Sequence, residues 1–426
     1  MTDSTSRRVA ILGGSRIPFC RAGSAYAEAS NTDMLAAALA GIDGRFDLGG
    51  RVDEIAGGAV LKHARDINLV REAALGAGFA PDVPAFDVSR ACTTSLEAAV
   101  GLGNKIALGQ IDAGIAAGVD STSDAPVALN DDLRRILLDI NHARSMTDRL
   151  RQLARLRPGQ LKPSFPNVNE PRTGLSMGEH CEQMAKAWAI SRAAQDELAA
   201  ASHANAARAY EAGFFDDLID SYRGVTRDEN LRPDTSVEKM ARLPPVFDRR
   251  NGTLTAANST PLSDGAAGVL LASEDWAAAH ELPVQAYLTP FARSAAVDFV
   301  SGDEGLLMAP AYAVPRMLNA AGLTLQDFDY YEIHEAFAAQ VLCTLAAWES
   351  DEFCRRRLGR DQALGPIDRD RLNVNGSSIA LGHPFAATGA RILATLAKLL
   401  HAQGGGRGLI SVCAAGGQGV TAILEA

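Results

Sequence analysis

The chain has 426 residues, 47% of them hydrophobic, with 41 basic against 51 acidic side chains and a net charge of −10. That length can bury a large core spread over two or three domains or subdomains, and the acidic balance argues against a general nucleic-acid or anionic-membrane binder, leaving room for a local basic patch. No apolar run is long enough to form a transmembrane segment, and the six cysteines, with no CxxC pair and no Cys/His cluster at zinc spacing, read as free thiols in a reducing, cytoplasmic setting.

After a polar start at Met1 to Arg8, the short run Val9-Ala10-Ile11-Leu12 reads as a first strand, too brief for a signal sequence. The Arg7-Arg8 pair lacks the apolar stretch that a twin-arginine signal needs. Residues 8–13, 54–60 and 112–119 have strand character, and 33–42 and 67–76 have helical character. Between them, Ala85, Phe86 and Val88 form a short strand that runs into Ser89-Arg90-Ala91-Cys92, and a helical pattern follows at once. Alternation of this kind predicts a mixed sheet covered by helices on both faces.

Cys92 therefore sits where a strand turns into a helix, and unpaired N–H groups at a helix start favour a thiolate. Taken alone, a cysteine here is more often a small buried residue packing a turn, and its partners must decide. From about residue 126 to 250 the composition becomes polar, helix-rich and proline-bearing, which predicts an inserted domain. Within it, 191–213 reads as an amphipathic helix with Ser191 as N-cap and Gly213 as stop. The insertion also holds Arg134, Arg135, Arg144, Arg149, Arg151, Arg155, Arg157 and Lys162 against Asp139 and Asp148. Such an excess is either a solvated face or an attractor for the phosphates of a large cofactor, a membrane surface or an acidic partner.

The α/β character returns after Val284, with strands at 284–291, 330–334 and 408–413 and helices at 310–321, 335–349 and 391–401. His334 is predicted to end a strand and Glu335 to open a helix. Gly382 and Pro384 bracket His383 in an extended turn. Cys413 ends what reads as the final strand and opens a glycine-rich loop. Strand, exposed turn, helix, glycine and buried strand recur in order over 87–118 and 373–415, which predicts two like-folded halves facing each other across a pseudo-twofold.

Five segments carry a resemblance: SRACTTSLEAAV around Cys92, GTLTAANSTPLSDGAA from Gly252, HEAFAAQ from His334, NVNGSSIALGHPFAATGAR from Asn373 and CAAGGQG from Cys413. In this order they resemble the thiolase family over nearly the full chain, and the HEAF form resembles the β-subunits (3-ketoacyl-CoA thiolases) of fatty-acid-oxidation trifunctional enzymes. The resemblance implies an α/β thiolase fold, two similar halves layered α-β-α-β-α with an inserted helical loop domain. The expected boundaries are 1–125 and 251–283 for the N-terminal half, 126–250 for the insertion and 284–426 for the C-terminal half.

It also implies cleavage of 3-ketoacyl-CoA with coenzyme A as co-substrate, with no bound metal or prosthetic group. Cys92 would be the nucleophile, His383 its base, Cys413 the acid and base toward the acetyl-CoA enolate, and His334 a donor or water holder in an oxyanion site. The Cys92 and Ala415 N–H groups would form a second hole. Ser176, Met177, Thr260 and Arg232 match positions that bind coenzyme A; Pro261, where glycine is frequent, bears on how the pantetheine arm lies beside Thr260. A homodimer or tetramer is expected, with a hydratase/dehydrogenase α-subunit as a further partner. The rival readings are an acetoacetyl-CoA thiolase, a ketoacyl-synthase-like condensing enzyme, which has no need of Cys413, and a silent CoA- or lipid-binding subunit, which would lack Cys92 or His383.

Overall fold

The computed structural model describes residues 6–166, 169–301 and 305–426; of the polar N-terminal stretch, Met1 to Thr5 lie outside them. The first half runs β1 (Val9–Arg16), β2 (Cys20–Arg21), α1 (Asn31–Phe46), β3 (Glu54–Gly57), α2 (Leu69–Gly76), β4 (Ala85–Asp87), α3 (Thr94–Ala107) and β5 (Ala113–Asp120). Then come α4 (Asp131–His142), α5 (Met146–Leu153), α6 (Met177–Ala187), α7 (Arg192–Glu211) and α8 (Val237–Met240), and the half closes with β6 (Ser263–Ser273) and α9 (Glu274–Ala279). The second half holds β7 (Ala286–Leu288), β8 (Arg293–Ala296), α10 (Ala309–Ala321), β9 (Tyr330–Ile333), α11 (Ala338–Glu349), α12 (Asp351–Leu358), α13 (Ser378–Leu381), α14 (Thr388–Gln403), β10 (Arg407–Ala414) and β11 (Gln418–Glu425).

The strands hydrogen-bond in the order β4-β3-β5-β6-β1-β7-β11-β10-β9, with β2 beside β6 and β8 beside β11. Read outward from the β1–β7 seam, the halves repeat one pattern. β1–β6–β5 are antiparallel and β5–β3 parallel; β7–β11–β10 are antiparallel and β10–β9 parallel. Period-two alternation then sorts the layers, because successive strand residues face opposite ways. Ile410 and Val412 of β10, with Val269 and Leu271 of β6, join α3 and α14 in one central cluster. Leu270 and Ile115 face α1 and α2 on one outer side. Leu409 and Ile423 face α10 and α11 on the other. The result is the layering α-β-α-β-α, with α3 and α14 in the middle.

Three expectations about elements need correcting. The strand at 408–413 is not the last, since β11 returns antiparallel to it, paired Cys413 to Gly419; the glycines after Cys413 are a hairpin turn. β6, eleven buried residues at the middle of the first half-sheet, has no counterpart among the sequence-predicted strands, because its small, unalternating residues SDGAAGVLLAS lack the period that marks a strand. The helix placed at 335 begins at Ala338, after the extended residue Phe337. Glu335 is instead buried, accepting from Ser202 Oγ at 2.7 Å, Asn373 Nδ2 at 2.7 Å and Ile379 N at 3.3 Å.

The helix of the insertion fits its signals: Ser191 caps α7 by accepting from Ala194 N, and Gly213 follows the helix with φ 70°. The basic segment is less free than the sequence suggests. Arg134, Arg151 and Arg155 pair with Asp131, Asp148 and Asp139 at 2.9–3.0 Å, since helical spacing of three residues brings the first two pairs together. Around them Leu137, Leu138, Met146, Leu150, Leu153, Leu161 and Phe165 are exposed. Among the described residues, no helix is long and apolar enough to cross a membrane.

Candidate active site

Four sequence-predicted side chains converge where the two halves meet over the middle layer. Cys92 lies in a single 3-10 turn, Ala91–Thr93, between β4 and α3. Ala91 takes the left-handed region at φ 46°, a conformation that costs a non-glycine residue about 1–3 kcal/mol and persists only where its surroundings hold it. Three hydrogen bonds do so: Thr94 Oγ1 donates to Ala91 O at 2.8 Å, Thr93 Oγ1 donates to Arg90 O at 2.8 Å, and Arg90 N donates to Thr94 Oγ1 at 2.9 Å. The strained turn lifts the Cys92 side chain off the end of the strand toward the second half.

His383 meets it from there, with Nε2 3.3 Å from Cys92 Sγ. Gly382, at φ 108°, makes the reversal that places this histidine, and the backbone of His383 bridges to Leu262, the residue after Pro261. On its other side His383 Nδ1 lies 2.5 Å from Thr388 Oγ1. The Nε2 lone pair that faces the thiol leaves the proton on Nδ1, donated to Thr388. Thr388 was legible as part of the motif after His383 but not as its partner.

His334 stacks obliquely on His383, with ring centroids 4.2 Å apart. Its Nδ1 is 2.8 Å from Ser378 Oγ, while its Nε2 is buried and, among the described residues, has no hydrogen-bond partner. Among the described residues, one ligand atom each from Cys92, His334 and His383 falls within 4.8 Å of the others. Cys413, buried at the end of β10, completes the group, close enough that a charge on Cys92 raises its pKa. Apolar Leu306, Met308 and Phe337 share its cluster.

Burial dominates the electrostatics and overturns the expectation of a resting thiolate. It pushes Cys92 up to about 12, although the N–H groups of Ala415 and Cys92 itself both hydrogen-bond to the sulfur and pull the other way. His383 is pushed down to about 3 by burial and by the nearby Arg391 cation, and His334 and Cys413 are shifted toward their neutral forms for the same first reason. The resting pair is a neutral thiol against a neutral imidazole.

The convergence of the Ala415 and Cys92 N–H groups on Sγ puts two backbone donors where an oxygen on an attached acyl carbon would lie. Alanine suffices at 415 because only its N–H is used. The neighbouring Gly416 N–H donates to Glu170 Oε1 at 2.6 Å, an anchor from the insertion that nothing in the sequence marked. The remaining candidates stand as follows. Thr260 donates its hydroxyl to Ala336 O at 3.1 Å, tying the TAANST segment to the HEAF turn. Ser176 caps α6 and exchanges hydrogen bonds with Glu179. Met177 packs on the cluster that holds Cys413. Arg232 is exposed, with its backbone N–H on His203 Nδ1 at 3.3 Å.

Two family models match the chain: the thiolase N-terminal domain over residues 9–275 and the thiolase C-terminal domain over residues 286–426. A 3-ketoacyl-CoA thiolase of Yersinia pestis (strain Pestoides F) is 43% identical over 425 residues, covering 98% of this chain and 97% of that protein. Among solved structures, human mitochondrial 3-ketoacyl-CoA thiolase superposes with a TM-score of 0.81 at 28% identity, covering 99% of both chains. The same enzyme in complex with CoA gives 0.80 at 28% identity, covering 99% of this chain and 98% of that one. The Bacillus anthracis acetyl-CoA acetyltransferase also gives 0.80, at 30% identity, covering 99% of this chain and 100% of that one.

Proposed function

This chain belongs to the thiolase family, and from that premise we propose that it is a 3-ketoacyl-CoA thiolase, an acyltransferase that splits 3-ketoacyl-CoA with coenzyme A into acetyl-CoA and a shortened acyl-CoA in fatty-acid degradation. The observation that carries the reading is the 3.3 Å approach of His383 Nε2 to Cys92 Sγ, with a second thiol and a second imidazole beside it.

The chemistry follows from what carbon–carbon cleavage needs. Cys92 passes its proton to His383 Nε2 as its sulfur attacks the 3-keto carbon, and the oxygen there gains charge against the Cys92 and Ala415 N–H groups. Collapse breaks the C2–C3 bond and leaves the electron pair on the acetyl-CoA enolate. An enolate expelled with no acid beside it would return to the acyl carbon, so Cys413, buried and held as a thiol, protonates its carbon. The enolate oxygen meanwhile faces the free Nε2 of His334. Coenzyme A then enters, gives its thiol proton to the Cys413 thiolate and attacks the acyl-Cys92 carbon; the departing Cys92 sulfur takes its proton back from His383. Every group ends as it began.

Ser176, Met177, Thr260 and Arg232 line the coenzyme A path in this reading, with exposed Arg232 meeting its phosphates. The protein acts as a homodimer or tetramer, and the exposed apolar side chains of α4, α5 and the loop through Phe165 support docking of a hydratase/dehydrogenase α-subunit on the 134–162 segment. The test is a thiolysis assay on purified protein with free coenzyme A and 3-ketoacyl-CoAs of increasing chain length, following loss of substrate enolate absorbance. Activity that extends to medium and long chains and disappears in Cys92→Ala is expected. Activity confined to acetoacetyl-CoA would replace the proposal with an acetoacetyl-CoA thiolase.

A further inference from the structure

Behind His334 lies a buried relay that the reaction scheme does not use. Arg391, on α14 and 1% exposed, donates from Nη2 to Ser378 Oγ at 2.8 Å. Ser378, fully buried, lies in turn 2.8 Å from His334 Nδ1. Glu332 Oε2 is 4.0 Å from Arg391 Nη1, its carboxyl pushed up to about 8 by burial, and among the described residues neither of its oxygens has a hydrogen-bond partner.

The donors and acceptors in this relay leave one consistent arrangement. A guanidinium only donates, so Arg391 occupies a lone pair of Ser378 Oγ. The serine has one proton left to place, and among the described residues its other partner is His334 Nδ1. If Nδ1 also donated, the serine proton would be buried with nothing to accept it, at a cost of about 1–3 kcal/mol. Ser378 must therefore donate to Nδ1, and His334 carries its own proton on Nε2, the atom that is buried and unpartnered at the site. His383, tied to Thr388, has the opposite arrangement.

From this geometry we infer that Ser378 and Arg391 are positioning residues that lock His334 in the Nε2–H tautomer, so that two adjacent histidines serve one as base and the other as a fixed hydrogen-bond donor to the enolate oxygen. Arg391 has a second effect, since its charge opposes protonation of both rings and keeps the donor neutral. A misassigned tautomer would present a lone pair to the enolate oxygen and repel the charge it should stabilise.

The inference rests on the thiolase reading for its consequence but not for its first test. Nitrogen-15 NMR of imidazole-labelled full-length protein, with His334→Asn to assign the resonances, is expected to show His334 protonated at Nε2 and bare at Nδ1. In Ser378→Ala the two forms should mix. Two exchange reactions of acetyl-CoA then separate the roles. Loss of methyl protons to solvent passes through the enolate, whereas incorporation of labelled coenzyme A passes only through the acyl-enzyme. Ser378→Ala should slow the first about 10- to 100-fold and the second less than threefold, and Ser378→Thr, which keeps the hydroxyl, should recover the first.

A His334 protonated at Nδ1 in the unmodified protein would overturn the inference. So would equal loss of both exchanges in Ser378→Ala, which would make the serine a structural residue. An unmodified protein that shows the expected tautomer and exchange yet fails to cleave longer 3-ketoacyl-CoAs would refute the substrate reading and leave the relay standing.

Discussion

Cys92 illustrates how a residue's neighbourhood can reverse what its place in the chain implies. At a helix start an anion gains about 0.3–1 kcal/mol, less than burial costs the thiolate at this position. Here burial raises the thiol to about 12. The sign of the consequence is definite: below that value the thiolate fraction grows with every step in pH. Alkylation of Cys92 by iodoacetamide in the absence of substrate should therefore rise about tenfold per pH unit from 7 to 9, and a plateau below pH 8 would show a resting thiolate instead. The four converging side chains were legible because each sits at a strand end or in a turn marked by glycine or proline. Their partners were not, since Thr388, Ser378, Arg391 and Glu170 act through hydrogen bonds that exist only once helices and insertion have been placed.

At the scale of elements, the sequence misplaced boundaries and missed two strands inside the sheet, β6 and β11. Glu335 looks like a first-turn acid for a helix, yet its carboxylate is drawn away to brace Ser202, Asn373 and the start of α13. A comparable brace, hidden in the same way, is Asp120 at the end of β5. It accepts from Val60 N at 2.9 Å, Leu61 N at 2.7 Å and Ala386 N at 2.8 Å, so one carboxyl joins the loop after β3 to the turn beyond His383. Asp120→Ala would strand those donors and should cost about 3 kcal/mol or more, read as a lower urea midpoint with unchanged slope. Burial lifts Asp120 from 3.8 to about 7, so the folded state holds this proton more tightly than the unfolded chain does. Its contribution is complete below pH 3.8 and is lost as pH rises through about 7. The stability gap between the two proteins should narrow between pH 4 and 8, and a gap that widened would refute the shift.

For the whole molecule, the recurrence of strand, turn, helix and strand in both halves was enough to anticipate the pseudo-twofold, because each half must build the same layer to cover the middle helices. The contact by which the halves meet was not legible, since it depends on how closely two backbones approach. At the crossing of α3 and α14, Ser95 Oγ donates to Ala386 O at 2.5 Å and accepts from Ala390 N at 2.8 Å. A Cβ added at Gly389 would lie 2.4 Å from Leu96 N, against backbone that cannot move aside alone. Gly389→Ala must therefore push the two helix starts apart. Cys92 and His383 lie just before those same helix starts, on opposite halves. A displacement of about 1 Å between reacting groups costs on the order of 100-fold in rate, so thiolysis kcat should fall by about that factor, with the KM for coenzyme A little changed. The variant's structure would show the Sγ to Nε2 separation lengthened beyond 3.3 Å. Unchanged kcat in a folded Gly389→Ala protein would mean that the halves are not held in register at this crossing, and that the reacting pair is aligned instead from the insertion side, through Glu170 and the turn after Cys413.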